Sequence, residues 1–239
     1  MGLRPTALPE AHFVCNDIHP DMQDGTLVAR ILSKKIVALA IITGVGVWFL
    51  ILPAITNQLG ANPVERLLHV SGELAIWSLG AVLSLTPLRV LFPRSPVVNA
   101  LNRHPRYVGV SSCIYGLIHF SCHVLYQGDW DALLQSFTKP FTWFGLAGLT
   151  ILVALASTSN NWSVRKLGAK RWKLLHRLAY VAAAVLIYHQ SIAGKGHWYV
   201  ARWLLFLLLV LQTARVIKSS LQRRAKSSAI PPKTQEASR

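Results

Sequence analysis

Six long apolar stretches constrain the fold of this chain more than any other feature of its sequence. Each has about the 17–25 residues that an α-helix needs to cross the hydrocarbon core of a bilayer. Lipid offers no hydrogen bonds to the backbone, so only helices and closed barrels can span it. The sequence therefore predicts an all-α polytopic membrane protein, a bundle of six transmembrane helices. The predicted spans cover residues 36–52, 67–86, 107–126, 140–157, 174–193 and 197–217.

The composition agrees with a membrane protein and excludes one other class. Hydrophobic residues make up 52% of the 239 residues and charged residues only 14%, whereas a soluble domain carries about 25% charged residues. The net charge of +16 could indicate a nucleic-acid-binding protein. However, the Lys and Arg residues flank the apolar stretches and do not form one patch or stripe. We therefore expect no nucleic-acid partner, and we expect the basic residues to lie against membrane lipid.

The connections between the predicted spans differ in charge from one side of the bundle to the other. Lys and Arg concentrate before the first span, after the second and fourth, and after the sixth. Because basic loops stay on the cytoplasmic side, both termini are predicted to be cytoplasmic. The chain then divides into a cytoplasmic arm at 1–35, a membrane domain at 36–217 and a basic cytoplasmic tail at 218–239. Neither flank is long enough for a flavin or nicotinamide domain, so we expect any electrons to come from a separate partner or a lipid-soluble donor.

Three histidines lie inside the apolar stretches: His119 in the third, and His176 and His189 near opposite ends of the fifth. Polar groups in hydrocarbon are rare and usually functional, and neutral imidazole is the most common metal ligand. At a rise of ~1.5 Å per residue, His119 and His189 fall at similar depths toward the outer side. We predict that these two clamp one planar metal cofactor, as axial ligands hold haem iron. The alternative is that each histidine only hydrogen-bonds to a neighbouring helix.

His176 is predicted to lie near the cytoplasmic face, where it needs a partner at its own level. His104 and Arg106, at the cytoplasmic entrance to the third span, are the nearest candidates. A second haem at this level would make a two-centre relay across the membrane. The 13 residues from His176 to His189 leave the two side chains ~140° apart on an ideal helix. The two sites would therefore face different neighbours.

The outer half of the predicted bundle contains two further features. His69 and Glu73 lie one helical turn apart in the second span, just below the outer surface. The pair could bind a quinol head group and accept its protons, or the two side chains could hydrogen-bond to each other. His123 lies one turn beyond His119 on the same face. It could compete with His119 as the outer ligand.

Several motifs resemble those of a known family. The segments "ANPVERLLHVSGELA", "LTPLR", "GLIHF" and "LASTSNNWSVRKLGAKRWKLLHRLAYV", with the "YH" that follows, are similar to the MsrQ (YedZ) family. Its members are haem-binding membrane subunits of bacterial methionine sulfoxide reductase systems, within the ferric-reductase-like transmembrane domains. The resemblance covers roughly residues 36–217. It implies that His119, His176 and His189 bind b-type haem, one or two per chain.

The motif that enters the third span departs from the family. Many members have two arginines there, whereas "RHPRYVG" has Pro105 at the first of those positions and Arg106 at the second. The presence of the inner haem therefore stays open, as do the parts of His104 and Arg106 in holding it.

The resemblance also implies a function. Such a protein is an electron-transfer subunit in the bacterial inner membrane. It takes electrons from the quinone pool and passes them to a periplasmic, molybdopterin-containing reductase that repairs oxidised methionine, so it is one subunit of an oxidoreductase system. FMN is a further cofactor that the resemblance implies, although the residues show no FMN motif. Two alternatives stay open: a transmembrane ferric or cupric reductase, and a proton or metal transporter that uses the histidines without haem.

Overall fold

All regular secondary structure in the described part of the chain is helical. The computed structural model describes residues 27–193 and 198–228. Most of the predicted N-terminal arm and half of the predicted basic tail lie outside these residues, as does the short segment 194–197. The helices, which we label in chain order, are α1 (Lys35–Ile55), α2 (Pro63–Leu91), α3 (Pro96–Leu101), α4 (Pro105–Gln127), α5 (Trp130–Ser136), α6 (Pro140–Ser157), α7 (Asn161–Leu167), α8 (Ala169–His176), α9 (Leu178–Ile192) and α10 (Trp198–Ser228).

Five of these helices are long and apolar enough to cross a membrane: α1, α2, α4, α6 and the Arg202–Ala225 part of α10. They coincide with five of the six predicted spans, which confirms the class of all-α polytopic membrane proteins. The outer surface of the bundle is apolar as well. In α10, for example, Trp203, Phe206 and Leu209 are all exposed. A large apolar surface of this kind is suited to contact with lipid tails.

The predicted fifth span is the exception, so the predicted count of six spans is not confirmed in the described part of the chain. The chain forms α8 and α9 in this region, with Arg177 between them. The N–H of Arg177 donates to the carbonyl of Leu174 at 3.1 Å, a tighter turn than that of an α-helix. Helix α9 has 15 residues, about 22 Å of helix, which is less than the ~30 Å of a bilayer core. The physical reason is that the uninterrupted apolar run begins only after Arg177.

The first turn of a helix has backbone N–H groups without a partner in the helix, and the residues at these positions deal with them in two ways. Proline occupies the first turn of α2, α4 and α6, where its missing N–H costs nothing. The side chain of Asn62 caps α2 by accepting a hydrogen bond from the N–H of Glu65. Asp129 caps α5 in the same way, with 2.7 Å to the N–H of Ala132. These starts set the height of every later residue in each helix, including the histidines.

The core of the bundle lies between α2, α4, α6, α9 and α10. Helix α2 packs mainly against α4 and α10, while α6 packs mainly against α9. Small residues such as Ala182 and Ala183 of α9 let the helices approach closely. The buried core consists of Ile76, Leu79, Leu83, Cys113, Leu152, Ala182, Ala183, Leu186, Leu204 and Leu208. Toward the C-terminal end of α4, a cavity lies between α2, α4, α6 and α9.

Candidate functional site

The imidazole rings of His119 and His189 lie next to each other inside the bundle. His119 lies on α4 and His189 on α9, and their ring centroids are 6.2 Å apart. The two ring planes are nearly perpendicular, at 87°. The structure therefore brings together the two histidines that the depth argument paired.

Each ring is held by a hydrogen bond to a backbone carbonyl of another helix: α2 for His119 and α6 for His189. The Nδ1 of His119 lies 2.8 Å from the carbonyl oxygen of Leu68 in α2. The Nδ1 of His189 lies 2.6 Å from the carbonyl oxygen of Phe141 in α6. A carbonyl oxygen only accepts hydrogen bonds, so each Nδ1 carries the proton and each Nε2 keeps its lone pair. This is the tautomer of a histidine that binds a metal through Nε2.

Both rings line a cavity of about 360 Å³, within the size range of small-molecule and cofactor sites. The cavity lies between α2, α4, α6 and α9, and the connection from α4 to α6 contributes Phe137 and Lys139 to its wall. Its walls are mainly apolar, with a few polar groups among them. The apolar lining includes Ile76, Phe120, Phe141, Leu146, Leu149 and Leu152.

The separation of the two rings fits two axial ligands of one metal ion. A metal–imidazole bond is about 2.0 Å long, and a ring nitrogen lies about 1.1 Å from the ring centroid. Two imidazoles on opposite sides of one ion would therefore have centroids roughly 6.2 Å apart. The distance between His119 and His189 is 6.2 Å. The separation of the two rings is thus the one expected for two imidazoles that bind one haem iron.

The donor set suits a macrocycle better than a bare metal ion. Among the described residues, no group of three or more His, Cys, Asp and Glu side chains could hold a metal ion. A bare transition-metal ion bound by protein needs about three or four protein ligands. A porphyrin supplies four nitrogens of its own and needs only two axial ligands from the protein. The pair His119 and His189 supplies that number.

His123 also lines the cavity, but its contacts differ from those of His119. Its Nε2 lies 3.3 Å from the hydroxyl of Ser136 and 3.5 Å from the amide nitrogen of Gln127. These neighbours engage the ring nitrogen that would otherwise bind metal. In His119, by contrast, the hydrogen bond to the backbone is made by Nδ1. The geometry therefore favours His119 over His123 as the outer ligand.

The proposed quinol residues lie in the wall of the same cavity. Both His69 and Glu73 line it. His69 also contacts Glu65, one turn before it in α2, with 3.9 Å between Nε2 and Oε1. Glu65 occupies the first turn of α2, where a carboxylate also interacts favourably with the helix dipole.

Gln190 is one of the polar residues of this cavity that the sequence analysis did not single out. Its side chain lines the wall next to His189. Its Oε1 is buried and has no hydrogen-bond partner within the described part of the chain. A buried acceptor of this kind is costly unless a ligand or water satisfies it. The signal in the sequence was a glutamine directly after the "YH" motif of an apolar run.

At the opposite end of the bundle, His176 belongs to a separate cluster. Its ring stacks on the indole of Trp172, with centroids 4.0 Å apart and planes at 30°. Its Nε2 lies 3.4 Å from the hydroxyl of Thr158. The guanidinium of Arg106 lies over the same indole at 5.7 Å and donates a hydrogen bond of 2.6 Å to Asn161. The structure thus brings Arg106 and His176 together through Trp172, which the sequence had not singled out.

His104, the other candidate for the inner site, makes different contacts. Its Nε2 lies 2.7 Å from the carbonyl oxygen of Ser33, close to the start of the described chain. Its ring lies 5.9 Å from that of Tyr107. Neither contact involves His176. Of the two predicted partners, the geometry therefore favours Arg106.

Comparison with known proteins agrees with the fold of a membrane protein. A family model described as "Ferric reductase like transmembrane component" matches residues 71–187. The heme-binding subunit MsrQ of protein-methionine-sulfoxide reductase from Herminiimonas arsenicoxydans is 34% identical over 181 residues, or 74% of this chain and 81% of that protein. The subunit of the same name from Brucella ovis is 41% identical over 153 residues, or 63% of this chain and 66% of its own length. No solved structure matches the chain significantly.

The matched region includes most of the helices that form the cavity. The family model covers His119 and ends two residues before His189. The described part of the chain is helical throughout its regular structure, with five helices able to cross a membrane. With 34% identity over 81% of the length of a curated relative, the chain belongs to the MsrQ family of ferric-reductase-like transmembrane proteins.

Proposed function

We propose that this chain is a haem-containing electron-transfer subunit of a methionine sulfoxide reductase system. The observation that carries the proposal is the pair of imidazole rings of His119 and His189, whose centroids are 6.2 Å apart. Each Nδ1 is held by a backbone carbonyl. The printed names of its relatives, heme-binding subunits of protein-methionine-sulfoxide reductase, support the same cofactor and system. The proposed cofactor is b-type, because the chain contains no CxxCH motif for covalent attachment.

The residues of the chain would hold the haem and tune it. When bound, haem supplies reversible one-electron transfer. His119 and His189 would be its axial ligands, and their hydrogen bonds to Leu68 and Phe141 fix the tautomer and raise the basicity of each Nε2. The apolar wall of the cavity would keep water away from the centre. Such a dry environment and such ligand hydrogen bonds are the means by which proteins set a redox potential.

The proposed electron donor is a membrane quinol. Oxidation of a quinol to a quinone releases two electrons and two protons, so its site needs polar groups that accept protons. His69 and Glu73 supply such groups in the wall of the cavity, and Gln190 supplies a hydrogen-bond acceptor beside them. The buried, unpartnered Oε1 of Gln190 is a natural acceptor for a quinol hydroxyl. We assign no residues to FMN.

The proposed electron acceptor is a periplasmic, molybdopterin-containing reductase. The charge of the loops supports the bacterial inner membrane as the location, with cytoplasmic termini and the connection from α4 to α6 on the periplasmic side. Phe137 and Lys139 of this connection line the cavity. A reductase that docks at residues 128–139 would therefore lie close to the haem, with the connection 56–62 as a second contact.

We also propose that His176 binds a second, inner haem. Binding of iron through Nε2 would require the ring of His176 to leave the hydroxyl of Thr158, 3.4 Å away. Arg106 lies in the same cluster and would interact with the carboxylates of the haem. A guanidinium binds carboxylates strongly because it donates parallel hydrogen bonds. The haem content of the purified protein tests this step. Two haems per chain in the wild type and one in His176→Ala are expected, and one in both would contradict it.

The absorption spectrum of the dithionite-reduced protein tests the outer haem. We expect a b-type spectrum in the wild type and loss of the outer haem in His119→Ala and in His189→Ala. The matched control is His123→Ala, which removes an imidazole from the same cavity and is expected to keep that haem. A colourless, folded protein would contradict the proposal and favour a transporter. Loss of the haem in His123→Ala but not in His119→Ala would move the outer ligand by one turn.

A second experiment separates the proposed system from a metal reductase. The chain is expressed with and without the molybdopterin reductase, and the repair of methionine sulfoxide and the reduction of ferric and cupric salts are measured. We expect repair to require both proteins. Reduction of external metal that does not depend on the partner, without any repair, would favour the metal reductase.

A further inference from the structure

The ring of His119 lies directly against a glycine of the neighbouring helix. A Cβ atom placed on Gly72 of α2 would lie 2.8 Å from the Nδ1 of His119 and 3.0 Å from its Cε1. Real Cβ atoms essentially never show a distance as short as 2.8 Å, and 3.0 Å is already tighter than most contacts. The same helix holds this ring through the carbonyl of Leu68, one turn before Gly72. The imidazole is thus bonded to one turn of α2 and packed on the next.

The ring of His189 has the same relationship to a different helix. A Cβ atom placed on Gly145 of α6 would lie 2.8 Å from the Cε1 of His189 and 3.0 Å from its Nδ1. The carbonyl that holds this ring belongs to Phe141, again four residues before the glycine. Two independent helices therefore present the same pair of features, a carbonyl and, four residues later, a glycine.

We propose that Gly72 and Gly145 are positioning residues that hold the two axial imidazoles of the outer haem in perpendicular planes. This inference rests on the proposed function, because it needs a haem between His119 and His189. The observed angle between the two rings is 87°. Each ring has its position along the helix fixed by the carbonyl and its approach to the helix allowed by the glycine.

A methyl group at either glycine would force its imidazole to turn. The backbone of a helix yields little, because its own hydrogen bonds keep it in place. The ring cannot simply withdraw either, because its Nδ1–H is bonded to the carbonyl of the same helix. The ring must therefore tilt out of its present plane, lengthen its hydrogen bond to the carbonyl, or both. Both responses change the electronic structure of the iron and its potential.

The orientation of the ring planes has a spectroscopic signature of its own. Each imidazole raises the energy of the iron dπ orbital that overlaps with its π system. Two perpendicular rings act on different dπ orbitals and leave the pair nearly degenerate, whereas two parallel rings split the pair. Ferric low-spin haem with perpendicular imidazoles therefore gives a highly anisotropic paramagnetic resonance signal. Parallel rings give an ordinary rhombic signal.

The test is paramagnetic resonance of the ferric, haem-loaded protein with a parallel redox titration. We expect a highly anisotropic low-spin signal in the wild type. In Gly72→Ala and Gly145→Ala we expect this signal to move toward the rhombic type, or to give way to high-spin iron, with a shifted midpoint potential. Because an inner haem would add its own signal, the same spectra are recorded in a His176→Ala background.

Two other helical glycines provide matched controls. A Cβ placed on Gly44 of α1 or on Gly109 of α4 would meet no atom within 4 Å. All four substitutions favour the helix itself to the same degree, because alanine is the better helix former. Gly44→Ala and Gly109→Ala are therefore expected to keep the signal and the potential of the wild type.

The outcomes separate this inference from the proposed function. A wild-type protein without haem would overturn the proposed function and this inference together. A haem that depends on His119 and His189, with spectra of both glycine variants equal to those of the controls, would overturn only the role of the glycines. If the variants do not accumulate, the spectrum of the wild type tests the inference. A rhombic signal from the outer haem would contradict perpendicular rings and overturn it.

Discussion

The indole of Trp172 lies on the imidazole of His176, with 4.0 Å between the ring centroids and 30° between the planes. The same indole donates a hydrogen bond of 2.9 Å to the carbonyl of Thr158 at the end of α6. Its other neighbour is the guanidinium of Arg106, at the start of α4. One half-buried aromatic ring thus connects the start of α4, the end of α6 and helix α8.

We expect Trp172→Ala to destabilise the protein. The substitution removes the stacking on His176, the hydrogen bond to Thr158 and the contact with Arg106. For a half-buried tryptophan this loss amounts to about 2 kcal/mol of unfolding free energy. Thermal unfolding in detergent measures it. The control is Trp162→Ala, since Trp162 is exposed and contacts only Lys166 among the ring contacts found; an equal loss in both variants would contradict the prediction.

A hydrogen bond between helices provides a second prediction. Ser112 of α4 is fully buried and donates to the carbonyl of Ala75 in α2, at 2.7 Å. Ser112→Ala is expected to lower the unfolding free energy by about 1 kcal/mol, as for other hydrogen bonds between membrane helices. Ser121→Ala is the control, because Ser121 is exposed and bonds only to the carbonyl of Leu117 in its own helix. Thermal unfolding of the two variants should show a lower midpoint for Ser112→Ala alone.

Gln190 is expected to bind a ligand through its Oε1 and to lower the stability of the ligand-free protein. Its buried Oε1 has no partner in the described chain, and such an acceptor costs roughly 1–3 kcal/mol. Gln190→Leu should therefore raise the thermal stability of the protein and slow the reduction of haem by quinol. Both quantities are measurable on the purified protein, by thermal unfolding and by stopped-flow absorption.

The chain contains a matched control for Gln190. Gln212 of α10 also has a buried Oε1 without a partner in the described residues, but it is not part of the lining of the cavity. Gln212→Leu also removes the hydrogen bond of 3.4 Å from its Nε2 to the carbonyl of Leu83, so only the kinetic readout is matched. It should leave the reduction by quinol unchanged. Slower reduction in both variants would show that Gln190 has no special part in binding the donor.

The packing of α6 on α9 yields a fourth prediction. A Cβ atom on Gly148 of α6 would overlap the side chain of Leu186 in α9. Gly148→Ala is expected to cost about 1–3 kcal/mol, the usual effect of overpacking a core. In a Leu186→Ala background the same substitution should cost less, because the overlapping atoms are gone. Equal costs in the two backgrounds, measured by thermal unfolding, would rule out this contact as the cause.

The length of the apolar segments and the rise of a helix predicted much of this fold and the pairing of two histidines. Five spans and the class of the fold followed from apolar length alone, because lipid requires each segment to satisfy its own backbone. The meeting of His119 and His189 followed from depth, since the rise of a helix converts residue number into height. The break at Arg177 was missed because it depends on the last turn of α8, in a segment where Leu174 and Leu175 extend the apolar pattern across it.

What the sequence determined by itself was the number of apolar segments, their charged flanks and the height of each histidine. Only the tertiary structure decided the neighbours of those histidines: the carbonyl of Leu68, the glycines at 72 and 145, and Trp172 against His176. The reason is that a membrane helix is apolar on all sides, toward lipid and toward the core alike. Its hydrophobic pattern therefore carries little information about its rotation. Contacts across helices depend on that rotation, and packing of the whole bundle sets it.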